Sequence, residues 1–319
     1  MLIYGIILFI FIVLWIQTQN AIDYDEEQVL HRKYSYLISS IFIIVAALRG
    51  ITVGADTASY VRDYSYVQSY SFDQIVELYP DNSGYYVVSK IFADFGVSVQ
   101  IWFAIVAGIY IYSVARLIYR FSSDPVLSYI LFLTIGFYGF SLAGLKQTVA
   151  MAFVFISYRY LYDNKYIRFS FFVLLASWFH LSSLVFLLAV VIHFLKKLRF
   201  YYVILSVLFI IWMVAYNTIV NRVLTLLDFD HYMSYLDMER ESNGTLTMFF
   251  IVLLIQLVCI IYMNVYTEEN STEAREIFGM SYLGLLAQVL SLVVASAFRI
   301  GLYFSLFSVI LLPNCISKE

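Results

Sequence analysis

From Leu2 to Trp15 the chain reads LIYGIILFIFIVLW without one charged side chain, and comparable apolar blocks recur along its whole length. About 20 mostly apolar residues cross a hydrocarbon core of roughly 30 Å, and within lipid only helices and closed barrels satisfy every backbone polar group. A barrel needs short segments of alternating apolar and polar residues. These blocks do not alternate, so the chain reads as an all-α polytopic membrane protein. Composition agrees, since 62% of the 319 residues are hydrophobic and 13% are charged, against about 25% charged in a soluble domain. The net charge of -3 is spread among loops, which points away from nucleic acid and from a dedicated basic membrane patch.

The expected spans are Leu2–Trp15, Tyr36–Leu48, Val97–Tyr119, Pro125–Leu142 and Gln147–Tyr162, then Ile167–Phe179, Leu181–Phe194, Phe200–Val220, Leu246–Tyr266, Ile277–Ala297 and Ile300–Leu312. The pair flanking His180 has barely the length of two crossings and also fits a broken or re-entrant helix. The count is therefore 10 or 11 in a single membrane domain over residues 1–319, with the first block retained as a helix. With the N-terminus outside and the C-terminus inside, 12 of the 19 Lys and Arg residues lie inside; Arg49, Arg62, Lys90, Lys146, Arg222, Arg240 and Arg299 lie outside. That bias fits the positive-inside rule. Two substantial outer segments result, at about 49–96 and 221–245.

Polar residues at the outer ends of the spans form four groups. The first is RGITVGADTASYVRDY, Arg49 to Tyr64, where a plain interfacial loop would have Arg49 snorkelling and Asp56 or Thr57 capping a short helix from near Ala58. The second is Gly144 to Thr148, in which Lys146 runs against the positive-inside bias. His180, within Trp178 to Ser183, is the third, and Arg299 in AFRIGLY is the fourth. Each has an ordinary structural explanation as an anchor or a satisfied core residue. Their convergence on one side of the membrane argues for more. Fixed cations suit a diphosphate, because Arg makes bidentate charge-assisted bonds and Lys supplies a point charge. A carboxylate or imidazole suits removal of a hydroxyl proton. Tyr60, Tyr64, Tyr66, Tyr70, Tyr79, Tyr85 and Tyr86 offer flat faces for sugar rings.

Other patterns carry little. Asp228-Phe-Asp230 and Asp23-Tyr-Asp25 match D-x-D, a motif short enough to arise by chance, and Asn243-Gly-Thr245 and Asn270-Ser-Thr272 match glycosylation acceptors. Cys259 and Cys315 sit in apolar blocks without metal-ligand spacing. No metal or cofactor is expected.

Arg49-Gly50 followed by Val53-Gly54-Ala55-Asp56-Thr57 and Tyr60, then Lys146-Gln147 leading into Ala150, then Phe179-His180 with Ser182, occur in this order along most of the chain. In these residues the sequence resembles the EpsG branch of the Wzy-type polysaccharide polymerases, bacterial inner-membrane proteins that join lipid-linked oligosaccharide repeats. It departs in Lys146, where Arg is frequent, and in Asn82 before Gly84-Tyr85, where Glu is frequent, which strengthens the claim of Asp56 as the acid. The resemblance implies a GT-C-like architecture and a metal-independent glycosyltransferase with no cofactor. Its donor and acceptor would be undecaprenyl-diphosphate-linked repeats, and its neighbours membrane lipids, a flippase and a chain-length regulator of the same pathway. The expected roles are Arg49, Lys146 and Arg299 on the diphosphate, Asp56 or His180 on the acceptor hydroxyl, and Gln147, Thr57 and Tyr60 in substrate positioning. The competing functions are a flippase or transporter for the same lipid-linked sugar, and a glycan ligase. A reporter fused after Tyr70 should be labelled by an impermeant reagent in intact cells; labelling only after permeabilisation would reverse the topology.

Overall fold

In the computed structural model the described residues are 2–198, 203–211, 214, 247–265, 272–292 and 298–316, and every regular element among them is helical. The segment 221–245 with Asp228, Asp230, Asn243 and Thr245 lies outside the described residues, as do Asn270 and Ser271 and most of the expected span Phe200–Val220. The chain separates into two units, one reaching Leu187 and the other running from Leu188 to Ile316.

The first unit begins with α1 (Leu2–Gln19) and α2 (Tyr24–Ala47). The second helix starts twelve residues earlier than the apolar pattern suggests, because the Asp23 carboxylate accepts the Glu26 N–H at 2.8 Å and Asp25, Glu26 and Glu27 fill the first turn. Acids there complement the helix dipole, so Asp23-Tyr-Asp25 is a helix start. Residues 49–96 hold three short helices, α3 (Thr57–Tyr66), α4 (Phe72–Leu78) and α5 (Ser83–Asp94). They are followed by α6 (Val99–Phe121), α7 (Pro125–Thr134), α8 (Phe137–Ala143), α9 (Leu145–Tyr162) and α10 (Tyr166–Phe179). The expected single span Pro125–Leu142 is thus two helices bent by 54°, broken at Gly136, whose φ of +103° lies in the left-handed region.

Four helices among the described residues are long and apolar enough to cross a membrane: α1, α2, α6 and Phe298–Ile316, with the bent pair as a fifth. Shorter apolar helices add to them, and the chain is a multi-pass membrane protein. Leu2 is 81% and Phe9 68% exposed on α1, whereas Phe11 is fully buried, as suits a helix with one face to lipid and one to protein. Phe42 of α2 anchors the packed side, with ring centroids 5.2 Å from Phe11, 5.5 Å from Phe132 and 4.4 Å from Tyr138. The Tyr138 hydroxyl donates to the Phe42 carbonyl at 2.9 Å, so the phenol has its partner where water is absent.

At one end of this bundle Asp163 gathers Lys165 at 3.3 Å, Arg120 at 3.5 Å and Arg159 at 3.8 Å. Arg120 and Arg159 lie in the last turns of α6 and α9, and Lys146 lies in the first turn of α9. An 18-residue helix is about 27 Å long, so the two charged groups stand roughly a hydrocarbon core apart.

The second unit contains α11 (Ala189–Leu195), a helical stretch over 203–211, α12 (Thr247–Val265), α13 (Thr272–Val289), α14 (Phe298–Ser305) and α15 (Ser308–Ile316). Glu276 on α13 is fully buried, with His193 Nδ1 at 3.0 Å from one carboxylate oxygen and Lys196 bonded to the other. Unpaired burial of that carboxylate would cost several kcal/mol. Both cysteines are free, Cys259 among buried apolar residues.

In the first unit Gly54 has φ +95°, and a Cβ there would sit 2.4 Å from the Leu142 carbonyl oxygen, whereas Gly96, at φ +73°, has nothing within 4 Å. Gly54→Ala should therefore cost on the order of 2 kcal/mol more than Gly96→Ala. Paired thermal melts in detergent check this, and equal midpoints for the two variants would contradict the close approach.

Candidate functional site

The chain leaves α2 at Leu48, whose N–H still bonds the Ile44 carbonyl, and immediately meets α6. The Gln100 amide donates to the carbonyls of Ala47 and Arg49, the latter at 3.1 Å. Three residues on, and so on the same face of α6, the Phe103 ring lies 4.6 Å from the Arg49 guanidinium carbon. One face of one helix therefore grips both the backbone and the side chain of Arg49. That side chain is only 6% exposed, and its Nε and Nη2 find no hydrogen-bond partner among the described residues. Burial pulls its pKa below the ordinary arginine value, and the groups around it are the phenols of Tyr85, Tyr138, Tyr4 and Tyr60. Arg keeps its proton in such settings, so the site holds a desolvated positive charge surrounded by tyrosines.

Beyond Arg49, the Val53 N–H bonds the Gly50 carbonyl at 3.0 Å to form a turn, and the chain presses onto the end of α8 at Gly54. Thr57 fixes the contact: its hydroxyl lies 2.6 Å from the Val53 carbonyl and 3.3 Å from the Leu142 carbonyl. The next residues, Ala143, Gly144 and Leu145, end α8 and begin α9, so the Arg49 loop is seated beside the helix start that carries Lys146 and Gln147. The first turn of a helix presents N–H groups and a partial positive charge, which adds to that of Lys146.

Buried Thr57, Tyr60 and Tyr64 fall on one face of α3 at spacings of three and four. The Tyr64 hydroxyl donates to the Val97 carbonyl at 2.8 Å, and the Tyr60 ring meets the Tyr85 ring edge-on at 5.6 Å. The Lys146 ammonium lies 5.9 Å from the Tyr60 centroid and 5.2 Å from that of Tyr86, distances at which a cation is attracted to ring faces. Tyr60 thus borders both Arg49 and Lys146. Of the tyrosines expected to meet sugars, Tyr60, Tyr64, Tyr85 and Tyr86 are buried against one another and their neighbours, while Tyr66 is exposed and Tyr70 and Tyr79 are partly so.

Asp56 occupies the N-cap position of α3 without a side-chain cap bond and is exposed. His180 ends α10, its Nδ1 2.9 Å from the Ser182 hydroxyl. Its neighbour Trp178 lies against Gly84 of α5, where a Cβ would fall 2.7 Å from the indole, so the His180 turn is tied to the helix bearing Tyr85 and Tyr86. Gln147 is buried in the first turn of α9. Arg299 belongs to the second unit, exposed at the start of α14 with its guanidinium 5.9 Å from the Phe298 ring.

The residues that sequence reasoning missed are Gln100, Phe103, Asp63 and the hydroxyl of Tyr86. The Tyr86 hydroxyl donates to Asp63 Oδ2 at 3.0 Å and accepts from Lys146 Nζ at 3.4 Å. Burial and the Asp63 charge push its pKa well above the ordinary phenol value, which keeps the donated proton in place. A signal for Asp63 existed, since it follows Tyr60 by three residues and so shares its side of α3.

A family model described as the EpsG family matches residues 32–319. Comparison with curated proteins and with solved structures finds no match. The matched region takes in Arg49, Asp63, Tyr86, Lys146 and His180, and the chain therefore belongs to the EpsG family, a Wzy-like polymerase family.

Proposed function

We propose that the protein is a glycosyltransferase that polymerises oligosaccharide repeats carried on undecaprenyl diphosphate, working at the outer face of the bacterial cytoplasmic membrane. The observation that carries this reading is the Arg49 guanidinium, buried with two nitrogens that have no partner among the described residues, beside the tyrosine ring it shares with Lys146. A buried cation without a carboxylate partner is expensive unless an anion arrives. A diphosphate provides one, and it is also the leaving group of the proposed reaction.

In that reaction an acceptor sugar hydroxyl attacks the anomeric carbon of the donor, a new C–O glycosidic bond forms, and the bond from that carbon to the diphosphate oxygen breaks. The electron pair leaves with the lipid diphosphate, and the hydroxyl proton passes to Asp56 or His180. Arg49 and Lys146 stabilise the charge growing on the departing oxygen. The mechanism assigns no step to a metal, because the cationic side chains and the first turn of α9 supply the charge. Thr57 and Tyr60 position the reacting groups by holding the Arg49 loop and the Lys146 turn together, and Gln147 does so from α9.

The Asp163 group supports placing the site outside, since Arg120, Arg159 and Lys165 lie at the opposite end of the bundle from Lys146. Basic clusters favour the cytoplasmic side.

Purified protein given a lipid diphosphate-linked repeat should yield a ladder of products and release lipid diphosphate. Arg49→Gln and Lys146→Gln should each slow the ladder on the order of 100-fold, the usual cost of losing one donor to a developing oxyanion. Unchanged rates at normal protein levels, or binding without any ladder, would reject the polymerase reading.

A further inference from the structure

Lys146 approaches the site through a side chain with many rotamers, and an ammonium on a flexible stem is a poor electrostatic clamp unless something aims it. The geometry shows what does. The Lys146 ammonium lies 5.2 Å from the Tyr86 ring centroid and 3.4 Å from its hydroxyl oxygen, and that hydroxyl spends its only proton on Asp63 Oδ2, 3.0 Å away. Tyr86 itself cannot swing, being 3% exposed and stacked on Tyr79 with ring centroids 3.7 Å apart and planes at 20°.

From this string we infer that Asp63 is a positioning residue for the diphosphate: it fixes the polarity of the Tyr86 hydroxyl, and the hydroxyl oxygen then holds the Lys146 ammonium on the site. The inference rests on the reading that Lys146 meets the diphosphate. With a carboxylate at position 63 the phenol proton points away from Lys146 and its lone pairs point toward it. Without that acceptor the proton is free to turn toward the ammonium, and the same oxygen ceases to attract it. Asp63 does this from one phenol oxygen away. Arg62 is 3.8 Å from the other carboxylate oxygen but is itself 66% exposed, so that pair contributes little.

The test is a double-mutant cycle read by binding of polyprenyl diphosphate to the full-length protein in detergent, with the corresponding polyprenol as the control for lipid contact alone. Asp63→Asn keeps the size of the side chain, removes its charge and replaces one acceptor oxygen with an NH2 that competes with Lys146 for the phenol oxygen. Tyr86→Phe keeps the stacked ring and removes the hydroxyl, and it tests the same string should Asp63→Asn not fold. Each should weaken diphosphate binding about tenfold, the scale of a hydrogen bond to a charged group, and leave polyprenol binding unchanged. Neither should weaken it further in a Lys146→Gln background. If Lys146→Gln weakens binding but Asp63→Asn or Tyr86→Phe costs the same factor in both backgrounds, or nothing in either, the positioning role is overturned while the diphosphate site stands. If Lys146→Gln and Arg49→Gln leave binding unchanged, or the unmodified protein does not prefer the diphosphate over the alcohol, the diphosphate site itself falls and the inference with it.

Discussion

Everything at the site depends on the contact between the Arg49 loop and the end of α8. The Leu142 carbonyl belongs to a helix that stops one residue before another begins, and helix-end carbonyls need partners. Thr57 supplies a hydroxyl at 3.3 Å, and Gly54 lets the backbone come close enough for it to do so. This small seat places a residue from the end of the second helix beside residues from the start of the ninth. Remove it, and Arg49 and Lys146 belong to unrelated surfaces.

The electrostatic logic is one of deliberate imbalance. Asp163 satisfies three cations and Glu276 two basic groups, so the fold can neutralise charge where neutralisation serves structure. Arg49 receives aromatic faces and phenols instead. A cation over a ring recovers up to about 2 kcal/mol when desolvated, less than the several kcal/mol that burying an uncompensated ion costs. The remainder is available to an arriving anion. Lys146 receives a different treatment, held by a phenol oxygen whose proton is already committed to Asp63.

Much of this could be read from residues alone, and the reasons for the rest are physical. Continuous apolar blocks carry the membrane class unambiguously, since no other setting tolerates them. Lys146 stands out because it runs against the positive-inside bias, and Arg49 because it opens the polar segment that follows the second span. The limits of α2 escaped the hydropathy pattern because capping by Asp23 extends a helix beyond its apolar part. The bend at Gly136 was invisible because an apolar run reads the same whether straight or broken. Asp63 carries no mark like those of Arg49 and Lys146, since motifs draw attention to residues near their glycines; its hydrogen bond to a buried phenol is visible only in the fold. Gln100 and Phe103, ordinary members of a long span, gain meaning only once α6 is seen to lie against Arg49.

The separation between Thr57 and Leu142 has a temporal side. Leu142 follows Thr57 by 85 residues, and at about 5–20 residues per second a ribosome needs roughly ten seconds to cover that distance. Throughout that interval the guanidinium of Arg49 has neither its seat nor its tyrosine neighbour Tyr138. Until Leu142 and Tyr138 are made, only water and headgroups can satisfy that charge, so the order of synthesis leaves the assembly of the seat to the second half of the first unit.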